Sequence, residues 1–290
     1  MIRPRPDSGS GCGRRRWSPA ERLGIAVLAL SPALVIISPR LAIAVWAAFV
    51  LICLVMPFFP GQSFFFPVIS RGPKGAAGVS LSFDDGPDPE STPAVLTLLR
   101  RHRLRAIFFV TGERAERYPE LIDALLADGH SIGNHSYSHD KVIMFRRSAT
   151  LVAEIDSTQR VLGAHGVRPH FFRPPVGILT PRYLEALRRT GLTAVTFSRR
   201  AGDRGNRRIR GLAGRILRRL RPGDIVLLHD TAPRRPDDLS LWLGEIERLI
   251  TGIGQRGVAI VPLATLLGRP ALSVLTGTAG SADRDAGTHP

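Results

Sequence analysis

The chain reads as an α/β domain built on a parallel sheet, preceded by an N-terminal transmembrane helical hairpin. Two observations carry that fold class. From Leu23 to Phe59 the only charged residue is Arg40. From Val79 onward, short apolar runs alternate with amphipathic segments, the signature of repeated strand–helix units. The predicted organisation is a basic segment over 1–22, two transmembrane helices over 23–59, an interfacial linker over 60–78, the α/β domain over 79–268 and a disordered tail over 269–290.

The apolar run divides at Ser38-Pro39-Arg40 into Leu23–Ile37 and Leu41–Phe59. A bilayer crossing needs about 20 apolar residues. The second part meets this, and the first does so with help from its flanks. As one helix the whole run would be about 55 Å long, too long for a single crossing. Pro32, Pro39 and Pro57 break or kink it. A hairpin with a tight turn at 38–40 is the simplest reading, against a cleaved signal sequence. Six arginines precede the first segment, which keeps the N-terminus cytoplasmic. Two crossings then return the domain to the cytoplasmic face of a bacterial-type inner membrane. One crossing would place it outside.

Beyond a Gly/Pro-rich linker, the expected strands are Val79–Phe83, Ala106–Val110, Ser131–Asn134, His170–Arg173, Thr193–Phe197, Ile225–Leu228 and Val258–Val261. The intervening helices are expected over Pro93–His102 (Thr92 as cap), Tyr118–Asp128 (stopped by Gly129), Ser148–Leu162 (stopped by Gly163), Pro181–Thr190 (stopped by Gly191), Ile209–Leu220 and Leu239–Ile250. An open doubly wound sheet and a closed barrel both fit that count.

A net charge of +16 first suggests a nucleic-acid binder. Yet the only lysines are Lys74 and Lys141, so the excess is Arg usage, and no aromatic-plus-basic motif accompanies it. No nucleic-acid partner is expected. The Arg-rich stretch Arg207–Arg221 is a candidate contact for anionic membrane lipid.

Five of the seven strands deliver titratable groups at their C-terminal ends. These are Asp84-Asp85, His135 with His139, Arg173, Asp203 and His229. In a parallel α/β fold those ends share one face, where active sites lie. His135 and His139 are four apart, so on a helical turn they point the same way and can share a metal. Adjacent carboxylates at Asp84 and Asp85 repel unless a cation compensates. Two His plus one Asp leave a metal site open to water, and the other Asp can take a proton. Arg173 is placed to hold a carboxylate, and His229 suits a general acid.

These residues carry a family resemblance. Ser82-Phe83-Asp84-Asp85-Gly86-Pro87, His135-Ser136-Tyr137-Ser138-His139, Arg173-Pro174-Pro175-Val176-Gly177 and Leu227-Leu228-His229-Asp230 resemble, in order, motifs of the polysaccharide deacetylases, also called carbohydrate esterase family 4 or the chitooligosaccharide deacetylase (NodB) homology domain. The resemblance covers roughly Val79–Leu267. It implies a distorted (β/α)7-type barrel and metal-dependent hydrolysis of an N-acyl group on a sugar. By the same resemblance, Asp84 is the base, Asp85, His135 and His139 hold one divalent ion (zinc, with cobalt or nickel as alternatives), Arg173 orients the base and His229 protonates the leaving amine. A backbone N–H near Val176 would help to hold the oxyanion. The family's third motif usually has Tyr where Val176 stands. In the fourth, Phe197, Arg200 and Arg204 replace Trp, Asp and Trp, leaving Asp203 to pair with Arg173 or to tune His229. The expected substrate is an N-acetylated glycan or a lipid-linked sugar. A catalytically impaired, membrane-bound glycan-binding module is the alternative.

Overall fold

The computed structural model describes residues 17–235 and 237–275. Residues 1–16 of the basic segment and 276–290 of the expected tail lie outside the described residues.

Helix α1 spans Pro19–Ile37 and α2 spans Pro39–Val55. The first starts four residues earlier than its apolar run. Ser18 caps it, its hydroxyl accepting from Glu21 N while the Glu21 carboxylate accepts from Ser18 N, and Pro19 is preset for the first turn. Pro32 does not end the helix, and Pro39 opens α2. Ser38 alone joins the two, closing α1 and capping α2. The helices fold back on one another: Trp46 Nε1 donates to Ser31 Oγ (2.9 Å), and the Phe49 ring packs against Gly24. Ala20 N donates to Phe64 O, so the hairpin's open end sits beside the chain that leaves it. Both helices, the second extended by a 3-10 turn to Phe58, are long and apolar enough to cross a membrane, and their outer faces are exposed apolar side chains such as Leu28, Ile36, Ile43 and Leu54.

The domain alternates as expected, with additions. Its order is β1 (Gly78–Asp84), α3 (Ser91–Arg101), β2 (Ile107–Val110), α4 (Gly112–Arg117), α5 (Pro119–Ala127), β3 (Ser131–Asn134), α6 (Ser148–Ala164), β4 (Val167–Pro169), β5 (Phe171–Phe172), α7 (Arg182–Thr190), β6 (Thr193–Ala194), β7 (Arg199–Arg200), α8 (Leu212–Leu217), β8 (Ile225–His229), α9 (Asp238–Gly254), β9 (Ala259–Ile260), α10 (Leu263–Leu267) and β10 (Leu272–Val274). The main sheet is parallel throughout, ordered β6-β5-β3-β2-β1-β8-β7, with β9 on the N-terminal part of β1. Its edges, β6 and β7, are consecutive in the chain, so the sheet curls back on itself. This fits the distorted barrel. Central β1 is buried along its whole length. Its outer layer of helices is anchored by Trp242 of α9, fully buried with Ile246, Leu249 and Ile253.

Several boundaries differ from the sequence expectation, each for a local reason. The strand expected over Thr193–Phe197 stops at Ala194 because the Val195 and Thr196 carbonyls accept from the Arg173 side chain instead of a neighbouring strand. Thr92 is not a helix cap; its hydroxyl accepts from Asp88 N and donates to Asp230. The helix expected over Ile209–Leu220 shrinks to α8. Gly211 enters it at φ +72°, and the Glu245 carboxylate caps Gly211 N and Ala213 N. Arg215 of that basic stretch turns inward to the Ala201, Arg208 and Arg210 carbonyls, so it does not face lipid. The expected tail from 269 is shortened, since Ala271 is buried and β10 pairs antiparallel with β4.

Replacing Trp242 tests the core. Trp242→Ala is expected to destabilise the chain by about 3–5 kcal/mol. Trp242→Phe costs less, because the buried indole Nε1 has no hydrogen-bond partner to lose. Denaturant titration of the detergent-solubilised chain checks both.

Candidate active site

The C-terminal ends of β1, β3, β5 and β8 open into one cleft of about 790 Å³. Its floor includes Asp84, Asp85, His135, His139 and His229, with Asp203 on one wall. The structure therefore brings together all the sequence-predicted site residues, with Arg173 buried behind them.

Asp84 ends β1 between Phe109 of β2 and His229 of β8. One carboxylate oxygen, Oδ1, accepts from Arg173 Nη1 at 2.6 Å; the other, Oδ2, faces His135 Nε2 at 4.0 Å. Arg173 is fully buried, and burial pushes its guanidinium pKa down, opposed by Asp84. Each of its three nitrogens donates. Nη1 also donates to Ser82 Oγ (2.8 Å), Nη2 to Thr196 O (2.8 Å) and Nε to Val195 O (3.3 Å), while the guanidinium lies 4.0 Å from the centre of the Phe109 ring.

Asp85 follows at φ +73°, a left-handed turn that swings its side chain away from Asp84. Its Oδ1 lies 3.2 Å from His135 Nε2 and 3.1 Å from His139 Nε2. Burial alone would raise this carboxyl, but hydrogen bonds and charge from the two histidines outweigh it and hold its pKa well below the ordinary range. The two rings do not share a helical face, as the spacing suggested. The stretch is a loop with Ser136 at φ +65° and His139 at φ +52°. Two neighbours hold it. Asn134 Oδ1 accepts from Ser136 N, and the Glu154 carboxylate accepts from Tyr137 N, Ser138 N and Ser138 Oγ. His135 Nδ1 faces the Arg173 carbonyl at 2.7 Å. A carbonyl only accepts, so Nδ1 carries the proton and Nε2 is left toward Asp85. Three ligand atoms, from Asp85, His135 and His139, fall within 4.8 Å of one another and can hold a metal.

His229 ends β8. Its Nδ1 pairs with Asp203 Oδ2 at 2.9 Å, which decides between the two roles open to Asp203. Burial would lower the imidazole pKa, but Asp203, with Asp85 and Asp84 further off, pushes it up to about 9. Asp230, next along, is a buttress. It is fully buried, accepts from Ser91 Oγ and Thr92 Oγ1 at 2.7 Å, and presses against Gly86, where any Cβ would collide with its carboxylate. Burial raises its pKa to about 7. Val176 stands in the cleft wall at φ +54°, an unusual backbone for a β-branched residue.

Sequence reasoning missed the loop anchors Asn134, Glu154 and Asn206, because their partners are main-chain groups of folded loops. It also missed Lys141 in the cleft wall.

Curled parallel sheet, buried acid–arginine pair and His/His/Asp cluster together define a hydrolase site of the carbohydrate-deacetylase kind. The family model for polysaccharide deacetylase matches residues 71–195. The chain is 34% identical to the chitooligosaccharide deacetylase of Azorhizobium caulinodans, over 67% of this chain and 96% of that protein. It is 30% identical to a peptidoglycan-N-acetylglucosamine deacetylase of Bacillus cereus, over 67% and 70% of the two chains. Among solved structures, a peptidoglycan N-acetylglucosamine deacetylase superposes with a TM-score of 0.61 at 30% identity, covering 70% of this chain and 94% of that one. The family 4 carbohydrate esterase of Streptomyces lividans gives 0.56 at 31%, covering 63% and 91%. The chain belongs to the polysaccharide deacetylase family, carbohydrate esterase family 4, and is a hydrolase of carbon–nitrogen bonds other than peptide bonds.

The Asp203–His229 pair makes stability pH-dependent. The folded imidazole titrates near 9 rather than at its ordinary 6.5, so its stabilisation is full below about pH 6.5 and is lost as pH rises through about 9. Thermal denaturation from pH 6 to 10 should show that decline weakened in Asp203→Asn; an unchanged slope would remove the pair as its source.

Proposed function

We propose that this protein is a membrane-anchored, metal-dependent deacetylase that removes an N-acetyl, or other N-acyl, group from an aminosugar in a glycan. The observation that carries the reading is the convergence of Asp84, Asp85, His135, His139, Arg173 and His229 in one cleft. A cleft so fully equipped weighs against a glycan-binding module without catalysis.

The donor set suits a divalent ion. Both imidazole Nε2 atoms approach the same Asp85 oxygen, and the His135 tautomer is already fixed by the Arg173 carbonyl. Two nitrogens and one carboxylate favour zinc, with cobalt or nickel acceptable. When bound, the ion supplies Lewis acidity that activates water and polarises the amide carbonyl.

The chain's own groups do the rest. Asp84 has one oxygen occupied by Arg173 and the other turned toward the His/His/Asp cluster. That free oxygen takes the proton of the attacking water. Arg173 fixes the carboxylate's direction. We assign the oxyanion to the main-chain N–H of Val176. His229, with Nδ1 held by Asp203, gives a proton from its other nitrogen to the departing amine.

The antiparallel packing of α1 and α2 supports two crossings. With five arginines ahead of α1 and a sixth, Arg22, in its first turns, the domain then lies on the cytoplasmic face. On that side the fitting substrate is a lipid-linked sugar at the membrane surface.

Metal analysis of the purified chain should find about one divalent ion, lost in Asp85→Ala and in His135→Ala. Asp84→Asn should keep the ion yet lower the rate of acetate release by about a hundredfold or more; retained activity would refute the assigned base. Topology reporters fused after residue 75 and at the C-terminus should both report the cytoplasm. A signal from the opposite side would cancel the two-crossing arrangement and favour a polymeric glycan.

A further inference from the structure

One wall of the cleft carries charge that the reaction does not use. Among the titratable groups lining it, each acidic side chain has a partner. Asp84 is held by Arg173, Asp85 by the two histidines, Asp203 by His229, and Glu113 by Arg117. Of the cationic ones, Arg114 is paired with Asp88. Lys141, Arg200, Arg204 and Arg207 also line the cleft, and among the described residues none of them has an ion-pair partner.

Three of these cations belong to one stretch, 200–207, whose placement is tightly fixed. Gly202, Arg204, Gly205 and Asn206 all take left-handed backbone, with φ from +55° to +65°. The buried Asn206 Nδ2 donates to the His229 carbonyl (3.0 Å) and the Thr231 carbonyl (2.7 Å), tying the loop to the end of β8. Asp203 O accepts from both Arg207 N and Arg208 N. Arg204 therefore follows directly on the residue that holds the proposed acid, and the same bonds that position Asp203 position the arginines. Crowding four unpaired cations around one cavity is unfavourable until an anion enters. Guanidinium forks are well suited to phosphate or carboxylate oxygens.

We propose that Lys141, Arg200, Arg204 and Arg207 form an anion subsite of the cleft, which takes a phosphate ester or a carboxylate carried by the acylated sugar. This rests on the deacetylase reading of the cleft and names the substrate class that reading leaves open.

The test uses the full chain in detergent and three probes: the neutral methyl glycoside of N-acetylglucosamine, N-acetylglucosamine 1-phosphate and N-acetylmuramic acid. Binding is measured by calorimetry at low and high salt, and acetate release is followed separately. At least one acidic sugar should bind about tenfold or more tightly than the neutral glycoside, an advantage that shrinks with salt. Preference for the 1-phosphate supports a phosphate-bearing substrate, and preference for the muramic acid a carboxylate-bearing one. Arg204→Glu with Arg207→Glu should erase the preference, and the paired Lys substitutions should restore part of it. Equal binding of all three probes by the unaltered chain overturns the subsite. So does a charge-reversed chain that loses neutral and acidic probes alike, since that is the result of a structural role. Salt-sensitive selective binding without release of acetate from any probe would count against the deacetylase reading while leaving the subsite in place.

Discussion

The buried contact between Arg173 and Asp84 is the interaction around which the domain is arranged. A guanidinium wholly out of water is tolerable only if its donors are met and its charge is matched. Here Asp84 and Ser82 meet it from β1, the Val195 and Thr196 carbonyls from the stretch after β6, and the Phe109 ring from β2. One side chain thereby joins the middle of the sheet to its edge. The same set of bonds fixes the direction of the Asp84 carboxylate. Removing either partner would strand a buried charge, so the pair is a structural necessity as well as a chemical device.

The same economy recurs at the His/His/Asp cluster. Asp84 and Asp85 are neighbours in sequence yet face different partners, because the backbone turns left-handed at Asp85. His135 presents Nε2 because its Nδ1 is spent on the carbonyl of Arg173 itself. The acid–arginine pair and the His/His/Asp cluster are thus joined through one residue. His229 stands apart on β8 with its own carboxylate, Asp203. Asp84 and His229 lie opposite one another at the ends of two strands adjacent in the sheet.

The hairpin is part of the same molecule, not an appendage to it. Thr196 Oγ1 donates to Pro60 O, and Leu179 N donates to Pro57 O, so the segment leaving α2 packs on the loops that wall the cleft. Gly177, beside Val176, has Phe197 and Pro60 as near neighbours. The cleft therefore opens close to the end of the apolar helices.

Much of this was legible in the residues. Strands β1, β2, β3 and β8 were legible as short segments between amphipathic stretches, each followed directly by polar groups. The polar groups at their ends marked the face on which the cleft lies. The basic segment, the apolar runs and the prolines outlined the hairpin, although a cap at Ser18 set its first turn four residues earlier than hydropathy alone indicated. The short strands β4, β7 and β10 could not be read, because two or three residues carry no periodicity and their pairing depends on distant chain.

Sequence alone determined which chemistry the chain can perform, because residue type fixes what a carboxylate, an imidazole or a guanidinium can donate, accept or ligate. Tertiary structure decided how those groups are used. It set the left-handed loop that converges His135 and His139, gave Asp203 to His229 rather than to Arg173, and turned Arg215 inward while leaving Arg204 and Arg207 facing the cleft. Those choices rest on hydrogen bonds between side chains and main-chain groups far apart in the chain, which no local pattern encodes.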